Sequence, residues 1–127
     1  VLFRSASKAV AIHQPDAGRL RRAAWQDEAR KHGRSEAYVQ YHWEHDNASW
    51  VRLRWLWLWL KLHLRRIIEQ VPPPDAEGCP AWEADYIHQM AWCEQFSAEQ
   101  RRPRNYARHG LTKREPVLSA AAPPLNV

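Results

Sequence analysis

The sequence predicts an all-α fold, a small bundle of about four helices, on three observations. The segment Trp50 to Gln70 is rich in Trp and Leu and contains neither Gly nor Pro. Its length of about twenty residues exceeds that of an ordinary strand, which is about 5–6 residues. The segments on both sides of it also repeat apolar residues at helical spacing. Finally, a chain of 127 residues suits one domain.

The first predicted helix runs from Arg19 to His32. Trp25 and Ala29 lie four residues apart, so they share one side of it. Gly33 then fits the residue just past a helix end, where the left-handed backbone conformation favours glycine. We therefore expect this helix to stop at Gly33.

The second predicted helix runs from Glu36 to Asp46, with Ser35 as its N-cap. A serine side chain at that position can accept a hydrogen bond from a free amide of the first turn. Glu36 suits the positive end of the helix dipole. Its expected inner face contains Val39, His42 and Trp43.

The third predicted helix is the Trp/Leu-rich segment 50–70, which we expect to be the central helix of the bundle. Apolar residues spaced 4, 3, 4 and 3 apart form a heptad-like stripe, namely Leu53, Trp57, Leu60, Leu64 and Ile67. Other apolar residues occupy most of the remaining circumference, which is typical of a helix surrounded by protein. The alternation of Leu and Trp also fits a strand. We favour the helix because of its length and because leucine is a strong helix former.

The fourth predicted helix begins at Pro80, since proline suits the first position of a helix, and it reaches about Gln100. Pro72 to Pro74 end the preceding helix. The domain organisation that follows is a non-native start plus flexible arm (1–18), a helical domain (19–100), and a basic segment with a disordered tail (101–127). Within the first part, Val1 to Ser5 reads like a translated sequencing adapter. The composition also fits a truncated or misframed reading that has no function.

Charge is distributed unevenly along the chain, whose net charge is +5. Six basic residues lie between Arg19 and Arg34, and six more between Arg101 and Arg114. The stretch from Glu69 to Glu99 contains seven acids and no Lys or Arg. Two interpretations stay open: the basic blocks bind nucleic acid, or the acidic stretch neutralises them within the fold.

A short motif favours the first interpretation. Residues 28–39, with Ala29, Gly33, Ser35 and Val39 at the matching offsets, resemble the turn of a helix-turn-helix. That resemblance implies that the second helix enters the major groove of DNA while arginines hold phosphates. The alternative is an ordinary helical hairpin with a glycine at the helix end.

The leading functional prediction is therefore non-catalytic nucleic-acid binding, to DNA or RNA. The arginine-rich stretch from Arg101 joins this surface, although it also fits a plain solvated linker. The residues expected to contact nucleic acid are Arg21, Arg22, Arg30, Lys31, Arg34, Ser35, Tyr38, Gln40, Arg101, Arg102, Arg104, Arg108, Lys113 and Arg114.

Two other classes of function are kept as alternatives. The first is a helical module for protein–protein interaction or for self-association, the latter as a homo-oligomer joined through helix 50–70. The second is a small DNA-acting enzyme, because His45 with Trp50-Val51-Arg52 resembles phage and bacterial proteins grouped with pyrimidine-dimer glycosylases. The sequence has no phosphate-binding glycine loop and no nucleophile elbow, and we expect no catalytic residue, metal or cofactor.

The expected location is the cytoplasm. Cys79 and Cys93 form no disulfide or zinc pattern, which favours a reducing compartment. No stretch is apolar enough for a transmembrane helix, so no membrane partner is expected.

Overall fold

Three α-helices form the described part of the chain. The computed structural model describes residues 16–110. Within them a 3₁₀ turn (Ala17–Leu20) precedes α1 (Arg22–Val39), a π-helical turn (Gln40–Glu44), α2 (Val51–Ile68) and α3 (Ala81–Glu99). The all-α prediction is confirmed. Of the expected flexible arm (1–18), Ala17 and Gly18 belong to the 3₁₀ turn and Asp16 caps it. The rest of the arm, and the part of the expected disordered tail after residue 110, lie outside the described residues.

The centre of the bundle is α3, because α1 and α2 each pack along it. The observed bounds of α3 lie within one residue of the expected ones. The expectation that the Trp/Leu-rich helix 50–70 lies at the centre is wrong, because α3 takes that position and α2 packs on one side of it. Side chains from all three elements meet in one core, which consists of Ala37, Tyr41, Val51, Leu58, Cys93 and Phe96.

The proline-rich loop between α2 and α3 caps the start of α1. The backbone amides of Arg22 and Ala23 donate to the carbonyl oxygens of Ala76 and Pro74, at 2.8 and 3.0 Å. The first amides of a helix have no partner within it, so the loop satisfies donors that no side chain caps here. Gly78 adopts a φ of 78° in this loop and donates to the carbonyl of Leu20.

The predicted helix break at Gly33 is wrong. α1 runs through residues 33–35 without interruption, and the two helices expected there are one. Gly33 is buried against α3, where a Cβ atom would lie only 2.2 Å from the carbonyl oxygen of His88. The glycine thus allows two helix backbones to cross closely, a role that the local sequence does not distinguish from a helix end. Ser35 is an exposed residue inside α1 and caps nothing.

The helical prediction for segment 50–70 is correct, since α2 covers Val51 to Ile68. The prediction that protein surrounds this helix is wrong. Only Val51, Leu58 and Leu62 of α2 are buried, and they face α3. Among the helices in residues 16–110, none is long and apolar enough to cross a membrane.

Candidate interaction surface

The outward side of α2 is a continuous apolar surface. Leucine, isoleucine and tryptophan side chains there each expose more than half of their area, up to 76 % for Ile67. We call this set the α2 face; it consists of Leu53, Leu56, Trp57, Leu60, Leu64, Ile67 and Ile68. A monomeric protein rarely exposes a contiguous apolar patch of more than a few hundred Å², and seven large apolar side chains exposed on one side of one helix form such a patch.

The α2 face contains the heptad-like stripe predicted from the sequence, on the opposite side of the helix from the core. The residues that α2 turns toward α3 have the same 4, 3, 4 spacing, namely Val51, Trp55, Leu58 and Leu62. This inner stripe is offset by two residues from the one that begins at Leu53. Two residues correspond to about 200° of rotation, so the two stripes lie back to back.

Cationic side chains flank the α2 face. Arg54 and Lys61 each follow a leucine of the stripe, and Arg52 lies on the other side. The Lys61 ammonium lies 3.4 Å from the centre of the Trp57 ring, and Arg54 donates to Gln89 at 3.2 Å. Within residues 16–110, none of these three cations forms a salt bridge with an acid.

The predicted nucleic-acid residues at the start of α1 and along it differ in burial and in pairing. Arg22 is buried, and its guanidinium binds the carboxylate of Glu83 at 2.5 and 2.7 Å. Lys31 is exposed but pairs with Asp27 at 2.8 Å. Arg21, Arg30 and Arg34 are exposed. Arg22 therefore belongs to the fold and cannot contact phosphate.

The turn of the proposed helix-turn-helix does not exist, so its recognition residues have other roles. Tyr38 accepts a hydrogen bond from the side-chain amide of Asn105 at 2.9 Å. Gln40 accepts one from the indole of Trp92 at 2.8 Å. Together with the exposed, mid-helical Ser35, these residues form no separate helix that could enter a groove.

The stretch 101–110 packs against the end of α1. The hydroxyl of Tyr41 donates to the carbonyl of Arg102 at 2.7 Å, and the Arg104 guanidinium lies over the Tyr41 ring. Arg104 also donates to Asn47 at 2.8 Å. Arg101, Arg102 and Arg108 are exposed, whereas Lys113 and Arg114 lie outside the described residues.

A buried carboxylate ties the three helices together at one end of the bundle. Glu83 of α3 accepts from Arg22 of α1 and from Arg66 of α2, the latter at 2.7 Å. Burial alone would raise the pKa of Glu83, but the hydrogen bonds from the two arginines outweigh it and lower this pKa to about 2. Burial raises the pKa of the neighbouring Cys79 thiol, which therefore stays protonated near neutral pH.

A second buried pair lies at the other end. The Nε2 atom of His42 lies 3.0 Å from the Glu99 carboxylate, and its Nδ1 atom accepts from the backbone amide of Asn105 at 3.0 Å. Because Nδ1 accepts, the proton of the neutral ring is on Nε2 and faces Glu99. Both ring nitrogens are thus engaged, and both side chains are buried, so the pair anchors stretch 101–110 and is closed to a substrate.

Sequence reasoning missed that the apolar stripe faces outward, and it missed both buried carboxylates. Glu83 and Glu99 carry no local signal, because their partners, Arg22 on α1 and His42 in the π-helical turn, are 61 and 57 residues away. Within the described residues, no group of three or more His, Cys, Asp or Glu side chains could hold a metal ion.

No family model matches this chain, and neither the curated proteins nor the solved structures contain a match to it.

Proposed function

We propose that this protein is a helical protein–protein interaction module that docks a partner helix on the α2 face. The observation that carries the proposal is the exposure of large apolar side chains along one whole side of α2. An exposed apolar area of this size costs free energy in water and is typical of an interaction site.

The shape of the surface favours a helix as the docked element. The stripe that begins at Leu53 keeps heptad spacing over its whole length, so it forms a nearly straight apolar line along α2. Two such lines on neighbouring helices can interdigitate as knobs into holes. A partner helix lying along α2 would cover Trp57, Leu60 and Leu64 together.

The test uses a double variant, Leu60→Gln with Leu64→Gln. Both side chains are exposed, so the variant should keep the helical content and the melting temperature of the wild type. The probe is a three-heptad peptide with leucine at the stripe positions and glutamine beside them. We expect fluorescence anisotropy to show that this peptide binds the wild type and that the double variant binds at least about tenfold more weakly.

The matched control is Val39→Gln, which also replaces an exposed apolar side chain but lies at the end of α1. It should bind the peptide as the wild type does. Sedimentation velocity over a range of concentrations measures association between copies of the chain. If the double variant and the wild type behave alike toward the peptide and toward their own chain, the α2 face is not a docking surface.

Nucleic-acid binding is a second proposal, supported by the net charge of +5 and by the exposed Arg30 and Arg34 on α1. It would consist of phosphate contacts without base readout, so its affinity for generic DNA or RNA should fall steeply with salt. The double variant Arg30→Gln with Arg34→Gln should weaken binding of nucleic acid and reduce its salt dependence. Lys31→Gln should weaken binding less, because Lys31 is paired with Asp27. An absence of binding at low salt would exclude this proposal.

A further inference from the structure

We infer that the partner docked on the α2 face is an acidic amphipathic helix, one with an apolar stripe flanked by Glu or Asp. The inference rests on the proposed function and adds the chemistry of the partner. It is carried by the position of the cations on α2 relative to the stripe and by the absence of acids from the same helix.

The heptad register fixes which residues would border the contact. With Leu53, Leu60 and Ile67 at d positions, Trp57 and Leu64 take the a positions. The e and g positions, which border the seam between two paired helices, are then Arg54, Leu56, Lys61, His63 and Ile68. Two of these side chains are cations and none is an acid.

Arg54 and Lys61 can each accept an acidic side chain from a docked helix. The ammonium of Lys61 rests on the Trp57 ring at 3.4 Å, next to the stripe, and it forms no ion pair within residues 16–110. Arg54 is exposed; its guanidinium lies 5.3 Å from the centre of the Trp92 ring and donates to the neutral amide of Gln89, and it forms no salt bridge in the described part of the chain. Glutamates on a docked helix could therefore pair with Arg54 and Lys61 without breaking an existing salt bridge.

A second copy of the chain does not supply the acidic side chains that Arg54 and Lys61 would pair with. From Val51 to Ile68 the helix has five Lys or Arg residues and no Asp or Glu. In a parallel pair e faces g, and in an antiparallel pair e faces e. Neither orientation of two α2 helices offers an acid to Arg54 or Lys61, and the antiparallel one brings cations together.

The experiment compares three synthetic peptides that share the same leucine stripe over three heptads. They differ at the e and g positions, which are glutamate, glutamine or lysine. We expect the glutamate peptide to bind the full chain about tenfold more tightly than the glutamine peptide at low salt, and the lysine peptide to bind most weakly. Added salt should narrow these differences because the flanking pairs are exposed.

The variant Arg54→Gln with Lys61→Gln should bind the glutamate and glutamine peptides alike, while Lys31→Gln, on α1, should keep the wild-type preference. Circular dichroism confirms that each variant is folded. Equal binding of all three peptides would overturn the inference but leave the proposed function standing. Tight self-association in sedimentation, or binding of phosphatidylglycerol vesicles that the Leu60→Gln, Leu64→Gln variant abolishes, would also overturn it. If no peptide binds and no self-association occurs, the proposed function itself fails.

Discussion

Replacing Gly33 with alanine tests the close crossing of α1 and α3. The added Cβ atom would lie 2.2 Å from the His88 carbonyl oxygen and 3.0 Å from its carbon, and both are backbone atoms of α3. A carbon atom needs about 3.5 Å, so the two helices must separate by roughly 1 Å. Overpacking of this kind costs about 3 kcal/mol. The higher helix propensity of alanine offsets about 1 kcal/mol of this cost.

The expected net loss is therefore about 2 kcal/mol, or a melting temperature lower by about 10 °C for a domain of this size. Urea unfolding followed by circular dichroism measures the free energy of unfolding. Alanine in an uncrowded helix would instead stabilise the protein by about 1 kcal/mol. A Gly33→Ala variant at least as stable as the wild type would therefore refute the close crossing.

Ser35→Ala is the matched control, two residues further along α1. Ser35 is exposed inside a continuous helix, so alanine should stabilise the protein by a few tenths of a kcal/mol. If Ser35 capped a separate helix, the same change would destabilise the protein by about 1 kcal/mol. The sign of this one measurement distinguishes one long α1 from a helical hairpin.

Further predictions address the two faces of α2 and the two buried carboxylates. Leu58→Ala should cost about 2–5 kcal/mol of unfolding free energy because Leu58 is buried, whereas Leu60→Ala should cost under about 0.5 kcal/mol; similar losses would contradict the assignment of the faces. Glu83→Gln should cost about 3 kcal/mol or more, because two arginines lose their shared carboxylate. The pKa of Glu83 is lowered from 4.5 to about 2, so the ionised carboxylate stabilises the folded state fully above pH 4.5, and this stabilisation is lost as the pH falls toward 2. Melting temperatures measured at decreasing pH should show this loss in the wild type and not in Glu83→Gln. His42→Ala removes the acceptor of the Asn105 amide, so trypsin should cut stretch 101–108 faster than in the wild type, and an unchanged rate would exclude His42 as its anchor.

The extent of α2 could be predicted from its sequence, but its buried side could not. Length and leucine content are local properties, and they placed the helix within two residues of its observed bounds. The stripes that begin at Val51 and Leu53 have the same spacing, however, and both are apolar. Only packing against α3 determines which of them is buried, and that contact involves residues far away in the sequence.

The candidate residues on α1 illustrate the same limit. Arg22 has the local features of a phosphate-binding side chain, yet its partner Glu83 lies 61 residues away. Gly33 fits a helix end as well as a helix crossing, and the His88 carbonyl that decides between them lies on α3. The fold class followed from local periodicity, whereas the roles of these residues depended on contacts between helices.

The central position of α3 has a consequence for the order of folding during synthesis. A ribosome makes α1 and α2 before α3, yet each of them packs chiefly on α3. Until α3 has emerged, the inner stripe of α2 has no core to enter, and both of its apolar sides face the solvent. We therefore expect the nascent chain to expose both apolar sides of α2 until α3 has emerged, and we expect cooperative folding of the three helices only after that point.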